Sequence, residues 1–383
     1  MKVLLITDGI FPSTLGGMQK HSTNIAKFLT MAGVKVVVAH CVDYNKKIPS
    51  DEEVNASMFG EEDFKLDEVH GFHFPKPGKI PGHYVRNNYA FSTTLFEHFK
   101  TRLSEFDFIY AKGFCGWKFI QEKKKGLSMP PIGVKFHGYE MFQPPPSFKV
   151  GVKNTVLKRP VKWNSLNADY VFSYGGRITD IVTDLGVAKE KIIEIPSGID
   201  DSWVRTTEIP ETNSPLKMVF LGRFERRKGV EELTAVLNAI KDTSAFKFTF
   251  IGPIPEDRRI NHSNIRYTGI VTDPIKLRSI LDEADVLVTP SYSEGMPNVI
   301  LEGMARGLCV VGTDTGAVKL LVSDQTGWLM PKVSEEALKR VILSVLESND
   351  IKAKRENALD LVKTDFVWKS VINQLIDKID KLN

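Results

Sequence analysis

The sequence predicts an α/β protein of two doubly wound domains that face each other across a cleft. Short apolar runs alternate with helical patterns along the chain, which favours parallel sheets covered by helices on both faces. The polar stretch 205–217 contains two prolines and shows no hydrophobic period, so it is typical of an interdomain linker. With 383 residues the chain is also too long for one ordinary core, and two domains of under about 200 residues each are expected.

The apolar runs give the predicted elements in chain order. The first strand covers residues 3–7, a glycine-containing turn follows it, and a helix is predicted over 20–32, where Gly33 ends it. The remaining predicted strands cover residues 35–39, 108–111, 132–136, 170–173, 218–222, 247–252, 286–289 and 309–312. Residues 43–69 are acidic and weakly periodic, and we expect a surface excursion within the first half there.

These elements divide the chain into an N-terminal domain at residues 1–204, a linker at 205–217 and a second domain at 218–365. The last segment, residues 366–383, carries apolar side chains at helical spacing, with Trp368 near its start, and predicts a C-terminal helix. Ligands bind at the carboxyl ends of the strands in open α/β sheets, so we expect function in the turns that follow the strands.

The composition is that of an ordinary globular protein, with 42% hydrophobic and 26% charged residues, which excludes disordered and collagen-like chains. The three cysteines lie far apart and form no metal-binding spacing, which suits a reducing cytosol. No apolar stretch approaches the length that spans a bilayer, and the first apolar run stops at Thr7 and Asp8 without a signal-peptide cleavage site. We therefore expect a cytoplasmic protein, and a peripheral association with the inner face of the cell membrane stays open.

Positive charge is concentrated between residues 100 and 165, where 13 Lys and Arg against 4 Asp and Glu give +9, compared with +4 for the whole chain. Two interpretations stay open for this region. It is a solvated helix surface, or it attracts an anionic membrane surface or a phosphorylated acceptor. Nucleic acid is not an expected partner, because the interleaved aromatic residues match no nucleic-acid-binding module. The sequence does not define an oligomeric state.

The first turn holds two adjacent glycines, Gly16 and Gly17, directly before a helix. Paired glycines let a ligand approach the backbone closely, and a helix N-terminus offers free N–H groups and a positive dipole end. A diphosphate suits such a turn, although the residues follow neither the dinucleotide-binding pattern nor the P-loop pattern. An ordinary loop is the alternative interpretation.

Basic residues follow the first strand of the second half. Gly222 and Arg223 stand at the end of that strand, and Lys228 stands near the start of the next helix. The forked guanidinium of Arg223 suits two phosphate oxygens, and together with Lys228 it is expected to neutralise a diphosphate leaving group without a metal. Arg226 and Arg227 are interpreted as a basic cluster on the surface.

The most specific feature follows the strand predicted at residues 286–289. Glu294 lies in a loop and Glu302 in the next helix, about two helical turns further on. Gly295 and Pro297 shape a helix start whose N–H groups point into the cleft. A carboxylate accepts hydrogen bonds from two hydroxyls, which suits a sugar diol or a ribose. A capped helix with a solvent-facing glutamate is the alternative.

Residues 293–302, together with the glycines and cations of residues 222–229, resemble glycosyltransferase family 4. Members of this family are retaining enzymes of the GT-B architecture, in which two Rossmann-like domains face each other across a cleft. The resemblance extends over nearly the whole chain, to the glycine loop with His21, to residues 136–138 and to residues 196–200.

The resemblance implies a role for each candidate residue. Those at the reacting centre are His137 and Glu294 beside the donor sugar, and Arg223 and Lys228 on the diphosphate. The rest of the donor would be bound by Glu302, through the ribose hydroxyls, and by Gly16, Gly17, Gly222, Gly295, Met296, Pro297, Asn298 and Val299. The loop over residues 251–270 would hold the base, and the last helix would cross back onto the first domain.

The expected reaction is transfer of a hexose-type sugar from a nucleotide diphosphate donor to a hydroxyl of a glycan or lipid-linked acceptor, with retention, in cell-surface polysaccharide assembly. No cofactor and no divalent metal are expected. Alternatives are a nucleotide-sugar epimerase, which needs no acceptor, a phosphorylase, whose pyridoxal-binding lysine context is not found, and a non-catalytic nucleotide-sugar-binding protein. The last would tolerate replacement of His137 or Glu294. Tyr84, Arg86 and Asn87 are candidates for shaping an acceptor site.

Overall fold

The computed structural model of the protein describes residues 1–14, 16–76, 78, 82–145, 147–212 and 214–382. The strands of the first half are β1 (Lys2–Thr7), β2 (Lys35–Val42), β3 (Glu68–His73), β4 (Phe108–Lys112), β5 (Ile132–Lys135), β6 (Tyr170–Ser173) and β7 (Ile192–Glu194). They form one parallel sheet in the order β3-β2-β1-β4-β5-β6-β7.

The second half forms a second parallel sheet. Its strands are β8 (Leu216–Leu221), β9 (Phe246–Ile251), β10 (Ile265–Tyr267), β11 (Val286–Thr289), β12 (Cys309–Thr313) and β13 (Gly327–Met330). They lie in the order β10-β9-β8-β11-β12-β13. The strand order therefore reverses between β1 and β4 in the first sheet and between β8 and β11 in the second, and such switch points are where ligands bind.

Helices cover both sheets. They are α1 (Gly17–Met31), α2 (Asp51–Phe59), α3 (His83–Phe99), α4 (Trp117–Lys124), α5 (Phe148–Asn167), α6 (Arg177–Asp184), α7 (Val230–Ile240), α8 (Pro274–Asp282), α9 (Asn298–Ala305), α10 (Glu335–Leu346), α11 (Ile351–Asp365) and α12 (Trp368–Asp380). Every residue of β4, β11 and β12 is buried, as parallel strands between two helix layers require. The predicted fold of two doubly wound α/β domains is confirmed. Over the described parts of the chain, no helix combines the length and the apolar character needed to cross a bilayer.

The predicted surface excursion at residues 43–69 is wrong in two places. Helix α2 begins there with a capping box, in which the Glu53 N–H donates to the Ser50 hydroxyl and the Ser50 N–H donates to the Glu53 carboxylate. Strand β3 begins at Glu68 on the edge of the sheet. Only Val69 of that strand is fully buried, and this is why no apolar run marks it in the sequence.

Two element starts also differ from the prediction. Strand β8 begins at Leu216, so the last two residues of the predicted linker belong to the second sheet. Leu216 is buried, and the N–H of the next residue donates to the Asp285 carboxylate at 2.9 Å, which extends the ordered strand. Helix α1 begins at Gly17, three residues before the predicted start. Leu15 in the first turn and Asn213 in the linker lie outside the described residues.

The last helix, α12, lies against α1 of the first half. The Trp368 ring stacks on Phe28 of α1, with ring centroids 5.8 Å apart and an angle of 13° between the planes. Val371 and Leu375 are fully buried in the same core as β1 and β2. Just before α12, the chain also pairs with the segment that leaves the first sheet, through a bridge between Ile199 and Val367. The C-terminal end of the chain thus completes the first core.

A buried ion pair ties α11 to the second sheet. Arg355 is 1% exposed, and its guanidinium donates to Asp285 at 2.6 Å and to the Gly307 carbonyl at 2.8 Å. Burial raises the pKa of the Asp285 carboxyl, and the arginine counteracts that effect. Arg355 therefore stabilises a buried carboxylate whose burial without a partner would cost much free energy.

Replacing Arg355 with methionine is expected to lower the free energy of unfolding by about 3–5 kcal/mol, because Asp285 loses its buried partner. Urea denaturation measures the change. Lys352→Met, on the same helix, removes an exposed lysine that pairs with Glu211 and is the matched control, expected to change little. Equal stability of the two variants would contradict the prediction.

Candidate functional site

A cavity of about 800 Å³ opens between the carboxyl ends of the two sheets. Its wall includes every residue that was a candidate for the reacting centre or for donor binding, namely Gly16, Gly17, His137, Gly222, Arg223, Lys228, Glu294, Gly295, Met296, Pro297, Asn298, Val299 and Glu302. The loop predicted to hold a base also reaches this wall, with Ile251, Gly252, Pro253 and Ile270. A smaller cavity of about 380 Å³ shares Lys20, Asn298 and Glu302 with it.

The first half contributes the glycine loop. Gly16 is extended and precedes α1, and Gly17 is the first residue of that helix. No side chain caps the N-terminus of α1, so its first N–H groups have no intrahelical partner and are suited to an anion. A Cβ at Gly16 would collide with the Gln19 side chain, whereas a Cβ at Gly17 would meet, among the described residues beyond its own helix turn, no atom within 4 Å.

Gly17→Ala therefore tests whether a ligand approaches this turn. We expect the melting temperature to stay unchanged, because the added methyl would be in open space as far as the described residues extend. Binding of a nucleoside diphosphate is expected to weaken by about tenfold or more, because the methyl occupies the space beside the N–H groups. Thermal unfolding and calorimetric titration measure the two quantities. Unaltered binding by a folded variant would show that no ligand reaches Gly17.

The second half contributes cations at the start of α7. Lys228 ends a short 3-10 turn, and Gly229 after it has a φ of +64°, where a Cβ would collide with the Pro290 carbonyl oxygen. The Lys228 ammonium donates to the Glu294 carboxylate at 2.5 Å. The predicted cation and the predicted carboxylate, which are far apart in sequence, thus form one ion pair on the cavity wall.

The other arginines of this turn differ in position. The side chain of Arg223 is 73% exposed and pairs with Glu225 at 2.9 Å, so it stands at the cavity mouth. The interpretation of Arg227 as a surface residue is wrong, because its guanidinium lines the cavity 3.7 Å from Glu294. Successive side chains in a 3-10 turn point about 120° apart, and Arg226 accordingly does not reach the cavity wall.

Helix α9 brings Glu302 to the same cavity. The Glu302 side chain is buried, and Lys20 of α1 donates to its Oε1 at 3.1 Å. Burial raises the pKa of this carboxyl, and Lys20 acts in the opposite direction. The alternative of a solvent-facing glutamate therefore fails for Glu302. No side chain caps α9 after Pro297, so the N–H groups around Asn298 are also suited to a ligand.

Gln143, which no sequence signal marked, joins the two domains beside the cavity. Its Nε2 donates to the carbonyl oxygens of Gly138, at 2.5 Å, and Glu294, at 2.6 Å. Its Oε1 accepts hydrogen bonds from the Glu294 N–H at 3.3 Å and the Thr315 hydroxyl at 2.7 Å. Both donors and both acceptor positions of the buried amide are used. Gln143 therefore fixes the loop of Glu294 relative to the loop that follows His137.

His137 follows β5 and lies half-buried on the cavity wall. Its Nδ1 lies 2.9 Å from the Tyr174 hydroxyl. Burial, followed by the charges of Lys112, Lys135 and Arg227, lowers the pKa of His137 well below its usual range. The imidazole is therefore neutral at pH 7.

The acceptor candidates lie elsewhere. Tyr84, Arg86 and Asn87 are in the first turns of α3, and none of them lines the cavity. Tyr84 lines a separate groove against α5. The Asn87 amide donates to the carbonyl oxygens of residues 75 and 76, which gives it a structural role in holding the preceding loop.

Two models of known protein families together match most of the chain. A family model described as Glycosyltransferase Family 4 matches residues 15–203, and one described as Glycosyl transferases group 1 matches residues 215–348. The amylovoran biosynthesis glycosyltransferase AmsK of Erwinia amylovora is 26% identical over 216 residues, which are 52% of this chain and 53% of AmsK. The chain spans about half the length, or less, of the first curated relatives it matches.

Solved structures share the complete fold. Sucrose-phosphate synthase from Thermosynechococcus elongatus has a TM-score of 0.74 at 18% identity, over 100% of this chain and 98% of that one. Anabaena Alr3699/HepE has a TM-score of 0.68 at 16% identity, over 100% of both chains. Together with the family matches, the two facing parallel sheets show that this chain has the GT-B fold and belongs to glycosyltransferase family 4.

Proposed function

We propose that the protein is a retaining glycosyltransferase that moves a hexose-type sugar from a nucleotide diphosphate donor to a hydroxyl of a glycan or lipid-linked acceptor. The observation that carries this proposal is the convergence of the Lys228–Glu294 pair, buried Glu302 and two uncapped helix N-termini on one cavity. Structures of Anabaena HepE contain UDP and UDP-glucose, which supports the donor class. AmsK is named for amylovoran biosynthesis, which supports a role in polysaccharide assembly.

The cations would act on the leaving group. Breaking the bond between the anomeric carbon and the phosphate oxygen builds negative charge on the diphosphate. Lys228 and Arg227 on the cavity wall, and Arg223 at its mouth, would stabilise this charge together with the N–H groups of α1 and α9. The Glu294 carboxylate neutralises Lys228 in the structure. We infer that the diphosphate replaces it, and that the Glu294 carboxylate then accepts hydrogen bonds from the donor sugar.

Retention would follow from attack on the face that the diphosphate leaves. The acceptor oxygen forms its bond to the anomeric carbon as the carbon–oxygen bond to the phosphate breaks, and a donor phosphate oxygen takes the acceptor proton. The two-carboxylate route of retaining glycosidases requires a carboxylate nucleophile at the anomeric carbon. In the proposed complex Glu294 instead accepts hydrogen bonds from the donor sugar, so we assign no protein nucleophile.

One screen tests the donor class and the independence from metal together. We expect one class of nucleoside diphosphate sugar to raise the melting temperature and to be hydrolysed slowly, both in the presence of EDTA. The configuration of the released or transferred sugar, read by proton NMR, reports retention. Lack of affinity for every nucleoside diphosphate would overturn the proposal, and loss of turnover in EDTA would overturn metal independence alone.

The same screen separates the alternatives. An epimerase would convert a nucleotide sugar into another nucleotide sugar with no acceptor present. A non-catalytic binding protein would keep its donor affinity, and no turnover would depend on His137 or Glu294.

We further propose that α5 attracts an anionic membrane surface, where lipid-linked acceptors reside. This helix contains five basic and no acidic residues, while Val156 and the adjacent Tyr84 are 60% and 52% exposed. The side chains of Lys149 and Lys153 lie outside the described residues. Cosedimentation with phosphatidylglycerol vesicles, but not with phosphatidylcholine vesicles, is the expected result. Binding to neither vesicle type would favour the solvated-surface interpretation, and equal binding to both would contradict an attraction to anionic lipid.

A further inference from the structure

Behind His137, the first domain buries basic side chains. Lys112 ends β4 and Lys135 ends β5, and the two are 2% and 1% exposed. The Lys112 amine lies 3.0 Å from Nδ1 of His21, and the Lys135 amine donates to the Ile195 carbonyl at 3.0 Å. In the part of the chain that the structure describes, neither lysine forms an ion pair with a carboxylate. Burial lowers the pKa of both lysines, and that of Lys135 lies well below its usual range.

This cluster acts on His137 from several elements. Lys112 from β4, Lys135 from β5 and Arg227 from the turn before α7 all disfavour an imidazolium. His21 of α1, whose ring lies 6.0 Å away and perpendicular, is itself kept neutral by burial and by the same lysines. Burial lowers the pKa of Lys112 to about 8, although the charge of Asp8 raises it. His137 therefore has only its two neutral tautomers available.

Tyr174 distinguishes the two tautomers. Its hydroxyl is buried, and within the described residues its hydrogen-bond partner is Nδ1 of His137. If Nδ1 carried the proton, it would donate to the tyrosine oxygen, and the buried hydroxyl hydrogen would have no acceptor. If Nδ1 is bare, the hydroxyl donates to it and both groups are satisfied. An unsatisfied buried donor disfavours the first arrangement by a factor of about five to a hundred, which is enough to select the second.

We propose that Tyr174 is a positioning residue that holds His137 as the neutral Nε2–H tautomer. The edge of the ring that carries Nδ1 faces Tyr174, so the opposite edge, with Nε2, faces the cavity. His137 then offers a hydrogen-bond donor to a sugar oxygen and is unable to act as a base through Nε2. This consequence rests on the proposed function, in which the acceptor proton goes to a phosphate oxygen, whereas the tautomer itself does not.

The tautomer is measurable in the unliganded protein. Long-range proton–nitrogen NMR of protein labelled with ¹⁵N-histidine distinguishes a bare Nδ1 from a protonated one, and His137→Gln identifies the signals of this residue. We expect a bare Nδ1 and a protonated Nε2, unchanged between about pH 6 and pH 8, where an ordinary histidine titrates. A protonated Nδ1, or an imidazolium at pH 7, would overturn the proposal.

Tyr174→Phe removes only the hydroxyl group. We expect the Nδ1 signal of His137 to shift toward that of a mixture of tautomers, while the protein stays folded. Tyr139→Phe is the matched control, because Tyr139 is equally buried and its hydroxyl bonds Ser165 and not His137. If Tyr174→Phe leaves the His137 signals as in Tyr139→Phe, Tyr174 does not set the tautomer. No donor is needed in this experiment, so its failure is distinct from failure of the proposed function.

Discussion

Lys228→Ala is expected to lower the rate of sugar transfer by about a hundredfold or more. A hydrogen bond to a charged group contributes about 1.5–3 kcal/mol, and each 1.36 kcal/mol is a factor of about ten in rate. The substitution should lower the rate for a second reason, because it also removes the cation that neutralises buried Glu294 at 2.5 Å. With Arg227, at 3.7 Å, as its remaining cation, the Glu294 carboxylate would repel the charge that develops on the diphosphate. Steady-state kinetics with the donor found by the screen measure the loss.

Arg223→Ala is expected to lower the rate of sugar transfer less than Lys228→Ala does. The sequence assigned the two cations equal weight, but Arg223 is 73% exposed and pairs with Glu225 at the surface, so we expect a loss of about tenfold. Lys228→Arg, which keeps the charge, should restore part of the rate. Arg340→Ala, which removes an exposed arginine on α10, is the control and should behave as the wild type. A Lys228→Ala variant within about threefold of the wild-type rate would contradict this account.

The strands that the sequence predicted each lie between two other strands of their sheet. β1, β4 and β11 are buried on both faces, so their apolar runs are continuous and visible. The missed strands β3 and β10 are at sheet edges, and β7 and β13 at the opposite edges are three or four residues long. An edge strand has fewer buried positions, so its sequence resembles that of a loop.

The residues of the candidate site likewise divide into those that the sequence predicted and those that it missed. Arg223, Lys228 and Glu302 belong to local motifs, and a motif is readable without knowledge of its surroundings. Gln143 acts on Glu294 from 151 residues away, and no local pattern records such a contact. The pairing of Lys20 with Glu302 spans 282 residues and depends on how the two domains meet. Contacts between domains thus limited what the sequence alone could show.

Gly295→Ala is expected to lower the turnover rate by about a hundredfold with little loss of thermal stability within each domain. A Cβ on Gly295 would lie 2.6 Å from the His137 carbonyl oxygen and 3.3 Å from the Gly138 Cα, and both atoms belong to the other domain. These two atoms belong to the backbone and have no rotamer that avoids the added methyl group, so the two loops must separate. Misplacement of reacting groups by about 1 Å can cost a hundredfold in rate.

Gln143 makes this separation more costly, since its amide bonds both the N–H and the carbonyl of Glu294. A shift of that loop breaks these hydrogen bonds and moves the carboxylate that faces Lys228. Gly303→Ala is the matched control, because the three atoms nearest to its Cβ all belong to the Leu287 side chain of the same domain, the first at 2.8 Å. It should cost some stability and little activity, whereas Gly295→Ala should do the reverse. If Gly295→Ala turned over at the wild-type rate, the contact between His137 and Gly295 would not belong to the arrangement that transfers sugar.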